Sequence, residues 1–183
     1  MNSFRWCLGV VLVVFFFAGS IVQAGLTDGL VMYLPFDEGQ GEVAGDLSGN
    51  GHDGTLEGPE WTEGKSGKAL SFDGWDTCVE VPFSDDFVIT EGISLGAWVA
   101  ANVPFSTPWK EIINAQLSTY GPFLLQTGGD GKAEIGLHLG GAWTWLRSDQ
   151  SLEEGVFHHV VGVYDEDDWL HIYFDGELDD GEG

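Results

Sequence analysis

The stretch Asp46–Gly54, "DLSGNGHDG", sets the side-chain oxygens of Asp46, Ser48, Asn50 and Asp53 among three glycines. Glycine lets a backbone bend its carbonyls inward, and Asp, Asn and Ser add hard oxygens. A calcium ion takes roughly six to eight such oxygens from side chains, carbonyls and water. The same residue types also make a tight surface turn, so the loop is read two ways: calcium site or turn. Asp46, Ser48, Asn50, Gly51 and Glu57 fall at positions 1, 3, 5, 6 and 12 of an EF-hand loop. The flanks "GEVAG" and "GPEWTEG" supply no helices, which rules out a true EF-hand. The metal candidates are therefore Asp46, Ser48, Asn50 and Asp53 with nearby carbonyls, the ion being structural Ca2+. Asp73 in "SFDG" is a further candidate, or a turn residue.

Aromatic residues supply the second chemistry. Trp143 and Trp145 in "GGAWTWLRS" are two apart, so on a strand they share a face, with Arg147 following on it. Exposed, such a pair would stack on sugar rings; turned inward, it would be core. Trp109 in "FSTPWKE" and Tyr120 in "STYGP" are candidates for a rim. The histidines read as structural: His158 and His159 are adjacent and face opposite ways on a strand, and no pair has zinc spacing. Glycoside hydrolysis needs two carboxylates at defined separation. The acids here bunch in turns, at Asp165–Asp168 and Asp175–Asp180, and Glu80 and Glu134 stand alone. No catalytic residue is assigned, and the chain reads as leaning away from an enzyme.

The 183 residues carry 6 Lys+Arg against 30 Asp+Glu, a net charge of −24. That excludes a basic face for nucleic acid and disfavours anionic lipid. Residues 1–24 read as a signal peptide: Arg5, the apolar "CLGVVLVVFFFAGSIV", then "VQA" ending at Ala24. The apolar run is short for a membrane span and no second one follows. Cys7 lies in that run, which leaves Cys78 as the single cysteine of residues 25–183, read as a buried hydrophobe. The protein is expected outside the cell or on its surface.

Positioning these residues calls for strands. Short runs rich in Val, Ile, Trp, Phe and Tyr alternate with Gly, Asp, Pro and Ser clusters, the pattern of an all-β protein. Strands are predicted at 30–36, 69–72, 78–81, 93–100, 111–117, 122–127, 133–139, 143–147, 157–164 and 169–174. "ISLGAWVA" places Ile93, Leu95, Ala97 and Val99 on one face, and "AEIGLHL" places Ile135, Leu137 and Leu139 on one face. The spacing fits two stacked antiparallel sheets. "FDG" at 174–176 reads as a hairpin turn, but the residues after it look too few for a partner strand.

In order, "LVMYLPFDEGQGEVAGDLSGNGHDGTLEG", "GKSGKALSFDG", "CVEVP", "ISLGAWV", "FHHVVGVYD" and "IYFDGEL" resemble the laminin G-like, concanavalin A-like lectin/glucanase superfamily, and within it the bacterial secreted domains. The resemblance implies one all-β domain at 25–183, a two-sheet antiparallel jelly-roll β-sandwich. It also implies calcium in the loop at Asp46–Gly54, and strands beyond the "YFDG" hairpin that are missing here, as in a fragment. The function it implies is a secreted, noncatalytic, calcium-stabilised module recognising extracellular polysaccharide or glycoprotein. The alternatives are a glycoside hydrolase or lyase, or the N-terminal part of one, and a structural or adhesion domain of a larger surface protein.

Overall fold

The computed structural model describes residues 3–6, 27–88, 92–101, 110–115, 123–139, 141–165 and 167–180. Trp109, Tyr120 and Cys7 lie outside these residues, as does most of the stretch read as a leader. The described strands are β1 (Ser3–Trp6), β2 (Val43–Ala44), β3 (Gly54–Glu57), β4 (Glu60–Glu63), β5 (Lys68–Ser71), β6 (Cys78–Pro82), β7 (Ile93–Val99), β8 (Lys110–Ala115), β9 (Phe123–Thr127), β10 (Lys132–Leu139), β11 (Ala142–Ser151), β12 (His158–Tyr164), β13 (Leu170–Phe174) and β14 (Glu177–Leu178). One 3-10 turn, Asp85–Phe87, interrupts them. All described strand pairings within the sheets are antiparallel, in the orders β11-β10-β9-β8, β14-β13-β12-β7, β1-β6-β3-β2 and β4-β5.

Alternation builds the core. Ile93, Leu95, Ala97 and Val99 of β7 are buried, as are Ile135 and Leu137 of β10. Strand β9 is buried along its whole length and has sheet neighbours on both sides. The β8–β11 sheet lies on the β7/β12–β14 sheet, and Ile135 of β10 presses onto Gly162 of β12. Cys78 is buried and unbridged, as a small hydrophobe. Among the described residues no helix is long and apolar enough to cross a membrane.

Several sequence expectations differ from the structure. Ser3–Trp6, inside the stretch read as a leader, is a strand paired with β6, and β3 and β4 fall outside the predicted strands. Two further differences have local causes. Residues 30–36 form no ladder strand, although Met32, Leu34 and Phe36 point into the core as alternation requires. Pro35 has no N–H to donate, and Phe36 at φ 57° turns the chain out of the extended region. Second, the chain after "YFDG" does make a partner strand. Asp175 (φ 51°) and Gly176 (φ 87°) form a two-residue turn of the left-handed kind, and β14 pairs Leu178 with Tyr173.

Side chains fasten this tail. Asp179 Oδ2 accepts from the Gln150 N–H of β11 at 2.9 Å, and Asp180 Oδ1 accepts from the Ile172 N–H at 2.8 Å. His171 of β13 stands between carboxylates, with Nδ1 2.8 Å from Asp180 Oδ2 and Nε2 3.3 Å from Asp165 Oδ2. Both partners only accept, so the ring satisfies both when doubly protonated. The bond to Asp180 raises its pKa above the usual histidine value; burial works the other way, and the charges of Asp180 and Asp165 add to the rise. A raised folded-state pKa gives stability that is fully present below the unfolded value of about 6.5 and fades as pH rises through the folded one. The His171 ring resonances are therefore expected to titrate above pH 6.5 or so. Asp180→Asn should bring the midpoint down; an unmoved midpoint would show that the tail does not hold the ring.

Candidate functional site

The Asp46–Gly54 loop is built as a partner for the extended chain at 30–33. Asp46 Oδ1 accepts from the N–H groups of Tyr33 and Ser48, each at 2.9 Å. Its Oδ2 accepts from the Ser48 hydroxyl at 2.7 Å and the His52 N–H at 2.9 Å. Asn50 Nδ2 donates to the carbonyls of Leu30 (3.0 Å) and Val31 (2.8 Å), and Ser48 Oγ stands 3.0 Å from the same Val31 carbonyl. Asp53 Oδ1 accepts from the Asp46 N–H at 2.8 Å. The loop also donates as a strand would, from Leu47 N to the Tyr33 carbonyl at 2.9 Å. Burial pulls the Asp46 pKa up, but the N–H of Tyr33, the Ser48 hydroxyl and the N–H groups of His52 and Ser48 outweigh it, and the net pKa is below the usual value.

Beyond the loop, His52 Nε2 lies 3.0 Å from Asp86 Oδ2 and its ring tilts over Phe87 at 4.6 Å, tying the loop to the 3-10 turn.

In this arrangement Asp46 offers no oxygen lone pair to a calcium ion. Both oxygens of Asp46 are filled by hydrogen donors, and the Asn50 amide nitrogen, a donor, faces the carbonyls an ion would use. Among the described residues no group of three or more His, Cys, Asp or Glu side chains is placed to hold a metal. Asp73 likewise serves a turn: its Oδ1 accepts from the N–H of Trp75 at 2.8 Å and the hydroxyl of Thr77 at 2.9 Å. The Trp75 N–H leads in lowering its pKa to about 2.

The aromatic pair lies on the outer face of the β8–β11 sheet. Leu146 packs against the core, so alternation along β11 sends Trp143, Trp145 and Arg147 outward. Trp143 is 44% and Trp145 41% exposed, which settles them as surface rather than core. Their rings stack with centroids 5.0 Å apart and planes at 19°, and His138 meets Trp143 edge-on at 5.5 Å. Register places His138 opposite Trp143, Gly136 opposite Trp145 and Glu134 opposite Arg147. The Trp145 ring occupies the space over Gly136, where an added Cβ would meet it at 2.3 Å. At the polar end, Arg147 Nη2 is 2.5 Å from Asp130 Oδ1, and Nε is 3.1 Å from Glu134 Oε1. Gln126 Nε2 donates to Glu134 Oε2 at 2.8 Å. Gly128 leaves room for this cluster, since a Cβ there would stand 2.7 Å from Arg147 Nη2. Burial raises the pKa of Asp130, but the Lys132 N–H and the Arg147 charge bring it below the usual carboxylate range.

This outer face, and the sandwich that carries it, fall within residues 73–182, which match the family model Laminin_G_3 of the concanavalin A-like lectin/glucanases superfamily. The chain belongs to that superfamily. No curated protein and no solved structure matches it. In this lectin/glucanase-type sandwich the matched segment contains the tryptophan pair and its polar cluster, whereas the Asp46 loop precedes it.

Of the residues singled out from sequence, Trp143, Trp145 and Arg147 are brought together, Asp46, Ser48, Asn50 and Asp53 form a separate group, and Trp109 is outside the described residues. Sequence reasoning missed Trp75, 82% exposed on the Asp73 turn, with Lys110 Nζ 5.5 Å from its ring centroid and donating to the Gly74 carbonyl at 2.8 Å. It also missed Gly136 and Gly128, whose signal was a glycine interrupting, or just ahead of, a strand pattern.

Proposed function

We propose that this superfamily member is a noncatalytic carbohydrate-binding module of an exported protein, reading extracellular polysaccharide or glycoprotein glycans. The observation that carries this reading is the Trp143–Trp145 ridge, two stacked indoles roughly two-fifths exposed on one sheet face over Gly136. An indole covers the apolar C–H face of a pyranose, and an exposed aromatic pair otherwise has little reason to be left in water. The nearby carboxylates favour binding over hydrolysis. Glu134 and Asp130 are both tied to Arg147, and a general acid needs a raised pKa, whereas that of Asp130 is lowered. Affinity electrophoresis through polysaccharide-loaded gels tests the reading. Trp145→Ala is expected to weaken retention by roughly tenfold to a hundredfold, as loss of an aromatic hot spot does. The rings stack on each other and Trp145 covers Gly136, so the melting temperature should fall by only a few degrees, with the fold kept. Unchanged retention in Trp143→Ala and Trp145→Ala would remove the ridge from the function.

A further inference from the structure

The tryptophan ridge also carries information about the charge of its ligand. We infer, resting on the carbohydrate-binding reading above, that the site takes glycans without acidic groups and turns away uronate and sulfated polymers. Recognition of a sugar carboxylate or sulfate calls for a free guanidinium or ammonium beside the stacking surface. The cation on this ridge is Arg147, whose charge is already countered by two carboxylates: Nη2 donates to Asp130 Oδ1 at 2.5 Å, and Nε lies 3.1 Å from Glu134 Oε1 as an ion pair without hydrogen-bond geometry. The three groups together carry one net negative charge. The four lysines of the described residues each have a partner nearby as well. Lys132 Nζ is 3.9 Å from Asp149, Lys110 donates to the Gly74 carbonyl, Lys68 pairs with Glu63, and Lys65 lies over the Trp98 ring at 5.3 Å. An acidic polymer would also approach a chain of net charge −24. An uncharged sugar meets neither obstacle. Its hydroxyls can donate to Asp130 and Glu134 and accept from Arg147 without breaking the cluster.

The test is retention of the full chain at pH 7.5 and about 20 mM salt on two panels. One holds uncharged polymers (β-glucan, xylan, galactan, mannan); the other holds alginate, polygalacturonate and chondroitin sulfate. Retention by at least one uncharged polymer and by no acidic one is the expected result. Asp130→Asn with Glu134→Gln frees Arg147, and should raise the ratio of acidic to uncharged retention about tenfold, an effect lost near 1 M salt where charges are screened beyond about 3 Å. Wild-type retention on an acidic polymer that weakens with salt would overturn this inference and leave the carbohydrate reading standing. An unchanged ratio in the double variant would also overturn it. Retention on neither panel would overturn both.

Discussion

Asp46→Ala is expected to lower the melting temperature by roughly 5–15 °C, a large loss for one half-exposed side chain. The carboxylate accepts four hydrogens, three of them from the backbone N–H groups of Tyr33, Ser48 and His52. A donor left without a partner costs about 1–3 kcal/mol when water cannot replace the acceptor. Water reaches part of this loop, so the sum is about 2–4 kcal/mol rather than the full total, and in a domain of this size each kcal/mol moves the midpoint by about 2–4 °C. The damage reaches the core because Met32, Leu34 and Phe36 ride on the segment that the loop holds. Asp46→Asn should not rescue, since its amide presents a donor to donors. The pKa of Asp46 is depressed by folding, so its contribution is present above about pH 4 and fades as pH falls through the lower folded value. Scanning calorimetry of wild type and both variants, each with calcium and with chelator, checks all of this. Equal wild-type midpoints in the two conditions are expected. A calcium-dependent rise that Asp46→Ala abolishes would make the carboxylate a metal ligand.

The second large effect is at the seam between the sheets. A Cβ on Gly162 would stand 2.6 Å from Ile135 Cδ1 and 2.9 Å from its Cβ. No real side chain tolerates that approach, so Gly162→Ala must push β12 from β10 or force Ile135 from its rotamer. Overpacking of this kind costs typically about 1–3 kcal/mol. Ile135→Ala alone opens a cavity under a fully buried residue, at about 2–5 kcal/mol. The double variant should be more stable than the two single losses added together, because the new methyl enters the space that the isoleucine leaves. Strictly additive melting data would show that the two positions do not touch.

Period-two alternation made the sandwich legible. Ile93 to Val99 and Ile135 to Leu137 point where their spacing says. Alternation says which side chains share a face, but not what satisfies the backbone, and that is why 30–36 read as a ladder strand. Most of its hydrogen-bond partners are side chains 13 to 20 residues away in a glycine-rich loop. The shared face of Trp143 and Trp145 was legible, but whether that face was inside or outside was not. That choice rests on which parity of β11 meets the second sheet, and a one-residue slip reverses it. Leu146, less bulky than its neighbours, took the inner side. The pairings His52–Asp86 and His171–Asp180 join residues brought together by the fold alone, so no local pattern announces them.

A ladder hydrogen-bonds through atoms that every residue except proline possesses, so its members can be exchanged freely as long as size and polarity suit the neighbours. The segment at 30–33 has little such insurance, with one backbone bond to the loop, from Leu47 N–H to the Tyr33 carbonyl. Apart from that bond, its grip depends on one carboxylate, the hydroxyl that donates to it and one amide at fixed places in a surface loop. Saturation mutagenesis scored by folded yield should therefore invert the familiar map. Asp46, Ser48 and Asn50, near the surface, should accept fewer substitutes than Val79 or Val81, which are fully buried in β6.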